Sequence, residues 1–455
     1  MVTPKTVDVD TFIDGLKLSR FHFFIIGLCT LLMMIDGYEL YVVGYVLPVL
    51  AEDFGATRTD LTPILVAQQI GMVAGAYFIT PLADRLGRPR VLFAAFAVIS
   101  ITCLGILFSP SIQTFIVLRF FAGMFASAVV PILLSIVSEN APKRLRATFG
   151  TILISGSLGG ALIGAFMQAV LLEPYGWRSA FWLGAIMPVL LLPVIWFVLP
   201  ESLRFLLAKR PNDARIPAIV RRMQQREDEE IVVVPAAPKD PITQQSAPAK
   251  GLLSGLFGEG RTFRTLLLWF AFMSSFTYIS AGNWKTTIFR DVVGLDWQQV
   301  ALATALGTGF GIVGNIGIGM AIDRWGFRRV LPAAFFLAAV SIIIMGALTP
   351  YVTLFFVFLV IMNIFQHGGQ AGLAALASGL YPSHQRATGV GWAYGAGRIA
   401  SIFAPLLGAF ALTLDLPPVG LFALFAIPLT SAGLFVALLF TVTREPQGAR
   451  VAAHA

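Results

Sequence analysis

Twelve apolar runs, each long enough to cross a bilayer, restrict this chain to very few architectures. A hydrocarbon core of about 30 Å needs about 20 helical residues. Runs of that order fall at about 20–49, 61–82, 90–109, 113–139, 147–171, 178–199, 264–288, 298–321, 329–349, 352–380, 387–413 and 418–442. Only helices and closed barrels satisfy every backbone polar group in lipid. Continuous apolar runs of this length, without alternation, select helices. The chain is 57% hydrophobic and only 12% charged, where soluble domains carry about 25% charge. The expected fold class is an all-α polytopic membrane protein with twelve transmembrane helices.

The net charge of +8 does not imply a nucleic-acid partner. Most of the 32 Lys and Arg sit in alternate short loops and at both ends of the chain. That is the topogenic pattern, and it places both termini in the cytoplasm. The first twenty residues are polar and mixed in charge, with no apolar segment or cleavage site of a signal peptide. Cys29 and Cys103 both lie in apolar runs and have no metal-ligand spacing. No phosphate-binding glycine loop and no Ser/His/Asp or Cys/His set stands out, so neither an enzyme nor an ATP-driven pump is expected, and no cofactor or metal.

The chain also repeats. LADRLGRPRVL, residues 82–92, returns as AIDRWGFRRVL, residues 321–331. Pro142, Arg146, Ala147 and Thr148 return as Pro382, Arg386, Ala387 and Thr388. Both echoes stand about 240 residues apart, which implies a duplicated six-helix unit. One long polar connection separates the copies. The expected organisation is a six-helix bundle at 1–200, a cytosolic linker at 201–263, a second six-helix bundle at 264–443 and a cytosolic tail at 444–455. Within the linker, the stretch around RRMQQREDEE is read as a short amphipathic helix, and PAAPKDPITQQSAPAK as disordered. Parallel repeats of this kind are a transporter architecture with its site near mid-membrane.

Charges inside the runs are the candidate site, because a charged side chain at mid-membrane costs at least ~2.5–3.5 kcal/mol. Asp36 and Glu39 stand three residues apart in the first run, on one helix face. Both are candidates for proton binding. Arg119 in the fourth run lies about 12 Å deep and Glu39 about 15 Å deep, counted at 1.5 Å per residue. Similar depth makes Glu39–Arg119 the expected resident pair and leaves Asp36 as the freer proton site. Arg398 in the eleventh run offers a planar fork for a carboxylate. Its partner is either a substrate carboxylate or one of the two acids. Lys285 follows Asn283 and Trp284 near the end of the seventh run. Two readings are open for it: a lysine reaching to the surface, or a second anion-binding group suited to a dicarboxylate or a larger aromatic acid. His367 and Gln370 share a face of the tenth run. Tyr38, Trp284, Trp392 and Tyr394 are candidate ring-stacking surfaces.

These motifs carry a resemblance. The segment Asp84, Arg85, Leu86, Gly87, Arg88 and its echo at Asp323, Arg324, Gly326 and Arg329 resemble the loop pattern of the major facilitator superfamily. Pro200, Glu201 and Ser202 after the sixth run fit the same superfamily, as do Arg119 and Gly123. Thr80 and Ser127 depart from it, each standing where Gly is usual. Within the superfamily, Asp36, Gly37 and Glu39 resemble the D-G-x-D of the bacterial aromatic acid:proton symporters, with Glu39 at the place of the second Asp. The stretch 381–408, with Arg398, resembles that family too.

The resemblance implies the major facilitator fold. It implies a monomer in the bacterial inner membrane that takes up a small aromatic carboxylate with protons by alternating access. It also implies that Asp84, Arg85, Arg88, Glu139, Arg146, Asp323, Arg324 and Arg329 form charge networks that gate the cytoplasmic face. Two alternatives stay open: another facilitator carrier, such as a drug exporter or sugar carrier, and a solute sensor that does not transport. The fifth run, SGSLGGALIG, lacks the proline of drug exporters, and Leu203 stands where sugar carriers have a second proline.

Overall fold

The computed structural model describes residues 5–142, 145–224, 231–234, 257, 261–381 and 386–442. Among the described residues twelve helices are long and apolar enough to cross a membrane. Numbered in chain order, spans 1–6 are Arg20–Phe54, Asp60–Leu82, Arg88–Leu107, Ile112–Asn140, Thr148–Tyr175 and Arg178–Phe197. Spans 7–12 are Thr262–Val292, Trp297–Trp325, Phe327–Ala347, Val352–Ala377, Gly389–Thr413 and Pro418–Thr441. Each corresponds to one apolar run of the sequence. Large apolar side chains such as Phe166, Leu190, Phe197, Phe410 and Ile427 stay exposed on these helices, as expected where the solvent is lipid.

Helix ends follow local chemistry. Ser111 caps the helix beginning at Ile112, its hydroxyl accepting the Thr114 N–H at 3.3 Å. Asp296 and Gln299 form a capping box that opens span 8. Gly87 and Gly326 occupy the same place in the two repeated loops, at φ +101° and +81°. A side chain there would be strained, so the repeat recurs in backbone geometry as well as in sequence.

The chain packs as two compact units. The first comprises Met1–Val42, Ile70–Gly164 and Trp177–Gln244. Its core includes Leu32, Phe96, Ile99, Leu133, Leu153 and Ile195, all at most 1% exposed. The second comprises Val43–Gln69, Ala165–Gly176 and Gln245–Ala455. Phe272, Phe335, Phe355, Leu359 and Leu429 are fully buried in it.

The first unit also holds a small folded pad that the sequence reading did not anticipate. A strand at Lys5–Asp8 pairs in parallel with one at Ile231–Val234, Lys5 opposite Ile231. The helix Val9–Gly15 follows, with Asp8 as its N-cap accepting from the Asp10 and Thr11 amides. In the linker, helices form at Leu203–Lys209 and Arg215–Met223. Ile216, Ile219, Val220 and Met223 are buried at helical spacing against Phe12, Ile13, Leu206 and Val233. Arg204 and Asp10 close the outside with an ion pair at 2.8 Å. The amphipathic helix begins earlier than RRMQQREDEE, and residues 5–15, read as part of a polar segment of mixed charge, become the other half of its core. The expected disorder of residues 235–250 and the tail at 444–455 lie outside the described residues.

Ile13 is fully buried in this pad, and truncating such a residue costs about 2–5 kcal/mol. Ile13→Ala is expected to raise the rate of protease cutting within residues 203–223 at least tenfold. An unchanged cutting rate would mean that residues 5–15 do not hold the linker.

Candidate functional site

Asp36, Glu39 and Arg119 lie in the first unit. Glu39 is 2% exposed and Arg119 is wholly buried. The Arg119 Nη1 group forms an ion pair with the Glu39 carboxylate, and Nη2 donates to the Glu39 carbonyl at 3.0 Å. The depth argument therefore located the pair. The Cys103 thiol adds a third donor, 3.4 Å from Glu39 Oε2. Sequence reasoning missed Cys103, because a cysteine in an apolar run carries no sign of its neighbours. Asp36 is buried as well, at 8% exposure.

The position of the two acids follows from close helix packing. A β-carbon on Gly37 would overlap the Ser157 backbone, and one on Gly160 would overlap the backbone of Met34 and Tyr38. Spans 1 and 5 touch main chain to main chain, as small residues allow in membranes. Tyr38 is fully buried, and its hydroxyl donates to the Ala180 carbonyl at 2.8 Å. Its ring is packed inside the unit rather than offered as a stacking surface.

The remaining candidates lie in the second unit. The Arg398 guanidinium is half-buried over the Phe276 ring, 5.9 Å from its centroid. Tyr394 packs against Phe272 and Phe276 at 5.0 and 5.8 Å and keeps 38% of its surface exposed. Trp392 is stacked on Trp269 at 5.7 Å. Gln370 accepts a hydrogen bond from Ser275, and the Tyr278 hydroxyl meets Met362 Sδ at 3.0 Å. These contacts join spans 7 and 10. Ser275, Phe276 and Tyr278 were missed. The available signal was their helical spacing on the same run as Lys285.

Lys285 is half-buried, with its ammonium 5.6 Å from the centre of the Phe289 ring. Asn283 and Trp284 are turned into packing: the Asn283 amide donates to the Ser280 carbonyl at 2.9 Å, and the Trp284 indole to the Pro405 carbonyl at 3.0 Å. Trp284 also lines a cavity of about 280 Å³ together with Pro48, Glu52, Thr287 and Asp291. Gln168 bridges Thr286 at 2.9 Å and the Tyr45 carbonyl at 3.4 Å.

Of the loop charges in the first unit, Arg88 is the hub. Its guanidinium meets Glu139 at 2.6 Å and lies over the Phe205 ring at 5.3 Å. Its backbone N–H donates to Glu201 at 3.2 Å. Burial pushes the Glu201 carboxyl above its ordinary value, while the Arg88 and Ser202 amides pull it back. Glu201, read only as part of a motif, is thus a member of the network. Arg85 is exposed. The side chains of Asp84 and Arg146 lie outside the described residues. In the second unit Asp323, Arg324 and Arg329 are exposed, Arg324 over the Trp325 ring at 5.6 Å. Among the described residues no three His, Cys, Asp or Glu are grouped as a metal site.

Comparison with known proteins identifies the family and the fold. The profile of the Major Facilitator Superfamily matches residues 29–326 and 286–455. A gallate transporter of Pseudomonas putida is 34% identical over 94% of both chains. A 4-hydroxybenzoate transporter of Pseudomonas aeruginosa is 31% identical over 90% of both. In structure the chain resembles the xylose transporter of E. coli in its inward-open conformation, with a TM-score of 0.71 at 17% identity, over 94% of this chain and 97% of that one. The last likeness speaks for the fold alone. The chain is a multi-pass membrane protein, and it belongs to the major facilitator superfamily.

Proposed function

We propose that this protein takes up small aromatic carboxylates together with protons, as a monomer in a bacterial inner membrane with both termini in the cytoplasm. The observation that carries the substrate class is Arg398, a guanidinium held half-buried against Phe276 in a membrane span, with the partly exposed Tyr394 ring packed on Phe276 beside it. A planar fork beside aromatic faces suits a ligand that is a carboxylate at one end and a ring at the other. The gallate and 4-hydroxybenzoate relatives support the same class.

For the proton, the buried Glu39–Arg119 pair and the nearby Asp36 supply the groups. A buried carboxylate that exchanges a proton changes the charge of its surroundings, and so biases which conformation is populated. Proton and substrate must favour the same change of state for the two flows to be coupled. The loop charges around Arg88 then act on the gate rather than on substrate.

Uptake of labelled 4-hydroxybenzoate or gallate into proteoliposomes tests this reading. An inward proton gradient is expected to raise accumulation at least fivefold, and a protonophore to abolish the gain. Accumulation indifferent to the gradient would rule out symport. No accumulation of any aromatic acid would rule out the substrate class.

A further inference from the structure

Lys285 is an expensive residue for a membrane helix. It lies within the membrane-spanning helix Thr262–Val292 and is half-buried. Among the described residues its ammonium meets no carboxylate and lies 5.6 Å from the centre of the Phe289 ring. Charged groups inside spans pair with one another or face a functional cavity.

Space exists one turn before Lys285: Gly282 is exposed, and a β-carbon there would meet nothing within 4 Å. The helix is also irregular here, with a 3-10 turn at Gly282–Trp284 and a π turn at Ile288–Val292. Such breaks re-aim side chains and are frequent at functional sites.

The opposite wall is built. His367 stands one turn before Gln370, which is bonded to Ser275. The His367 ring lies against Gly311 of span 8, where any β-carbon would come within 2.6 Å of its Cδ2. The imidazole is thus held in place.

The spacing to Arg398 suggests what these groups bind. Arg398 sits over Phe276, two and a half turns before Lys285 on the same helix. That is about 13 Å along the axis. A gap of that order accommodates one benzene ring with a carboxylate at each end and a hydrogen bond from each cation.

We propose that Lys285 is a second anion-binding position, and that the preferred substrate is an aromatic 1,4-dicarboxylate held by Arg398 at one end and Lys285 at the other. This rests on the reading of the protein as an aromatic acid carrier.

The test is binding of terephthalate and of 4-methylbenzoate, which has the same shape with one carboxylate fewer, to the purified full-length protein. The wild type is expected to bind terephthalate at least tenfold more tightly. Lys285→Met is expected to cut that ratio at least tenfold, and Lys285→Arg to recover part of it. Because the readout is a ratio within one preparation, loss of folded protein does not move it. Equal affinity for the two acids in the wild type, or an unchanged ratio in Lys285→Met, overturns the proposal and leaves the carrier reading standing. Binding of neither acid overturns both.

Discussion

Arg119→Leu is expected to abolish uptake and to lower the thermal unfolding midpoint by several degrees. Arg119 is completely buried and makes two contacts to Glu39, one to the carboxylate and one to the carbonyl. Removing it leaves a buried acid with the Cys103 thiol as its one remaining side-chain donor among the described residues. Breaking one side of a buried ion pair costs about 3–5 kcal/mol, because the other charge stays behind uncompensated. The double variant Arg119→Leu/Glu39→Gln removes that stranded charge. It is expected to recover most of the midpoint and none of the proton dependence of uptake. A double-mutant cycle of unfolding midpoints separates the two effects. If Arg119→Leu unfolds at the wild-type midpoint, the pair carries no structural weight.

Arg398→Ala is the second large effect. Losing one partner of a desolvated, charge-assisted contact costs about 2–5 kcal/mol, and 1.4 kcal/mol is a factor of ten. Uptake and binding of aromatic carboxylates should fall at least thirtyfold, with the folded protein intact because the guanidinium is only half-buried. Arg398→Lys keeps the charge but loses the planar fork and the broad contact with the Phe276 face, so it should recover only part. The informative control is the neutral amide of the same acid. It should lose little in Arg398→Ala, since it brings no charge to satisfy. Equal loss for acid and amide would move Arg398 from carboxylate binding to helix packing.

What could be read from the sequence was whatever lipid makes expensive. Twelve spans were legible because an apolar run of that length has almost no other use. Glu39 and Arg119 were legible as a pair because each is costly alone and they lie at similar depth. The pad was not legible. Its halves are about 195 residues apart, each contributes only a few apolar residues, and nothing in Lys5–Gly15 announces a partner in 203–234. The orientation of rings was also beyond reach. Tyr38 and Trp284 look in sequence like Tyr394, yet their polar tips are spent on the Ala180 and Pro405 carbonyls. Which face of a helix an aromatic presents depends on the neighbouring helix, and composition does not record it.

The pairing of Lys5–Asp8 with Ile231–Val234 sets an order of events during synthesis. The first strand leaves the ribosome early but has nothing to join until residue 234 has followed it, after all six spans of the first half. Its partner helices at 203–223 are made only shortly before. Closing the pad therefore marks the completion of the first half, at a moment when the second half is not yet translated. A chain whose early spans are misinserted would carry one strand to the wrong side of the membrane and could not make this join. The join therefore requires both segments to lie on one side of the membrane.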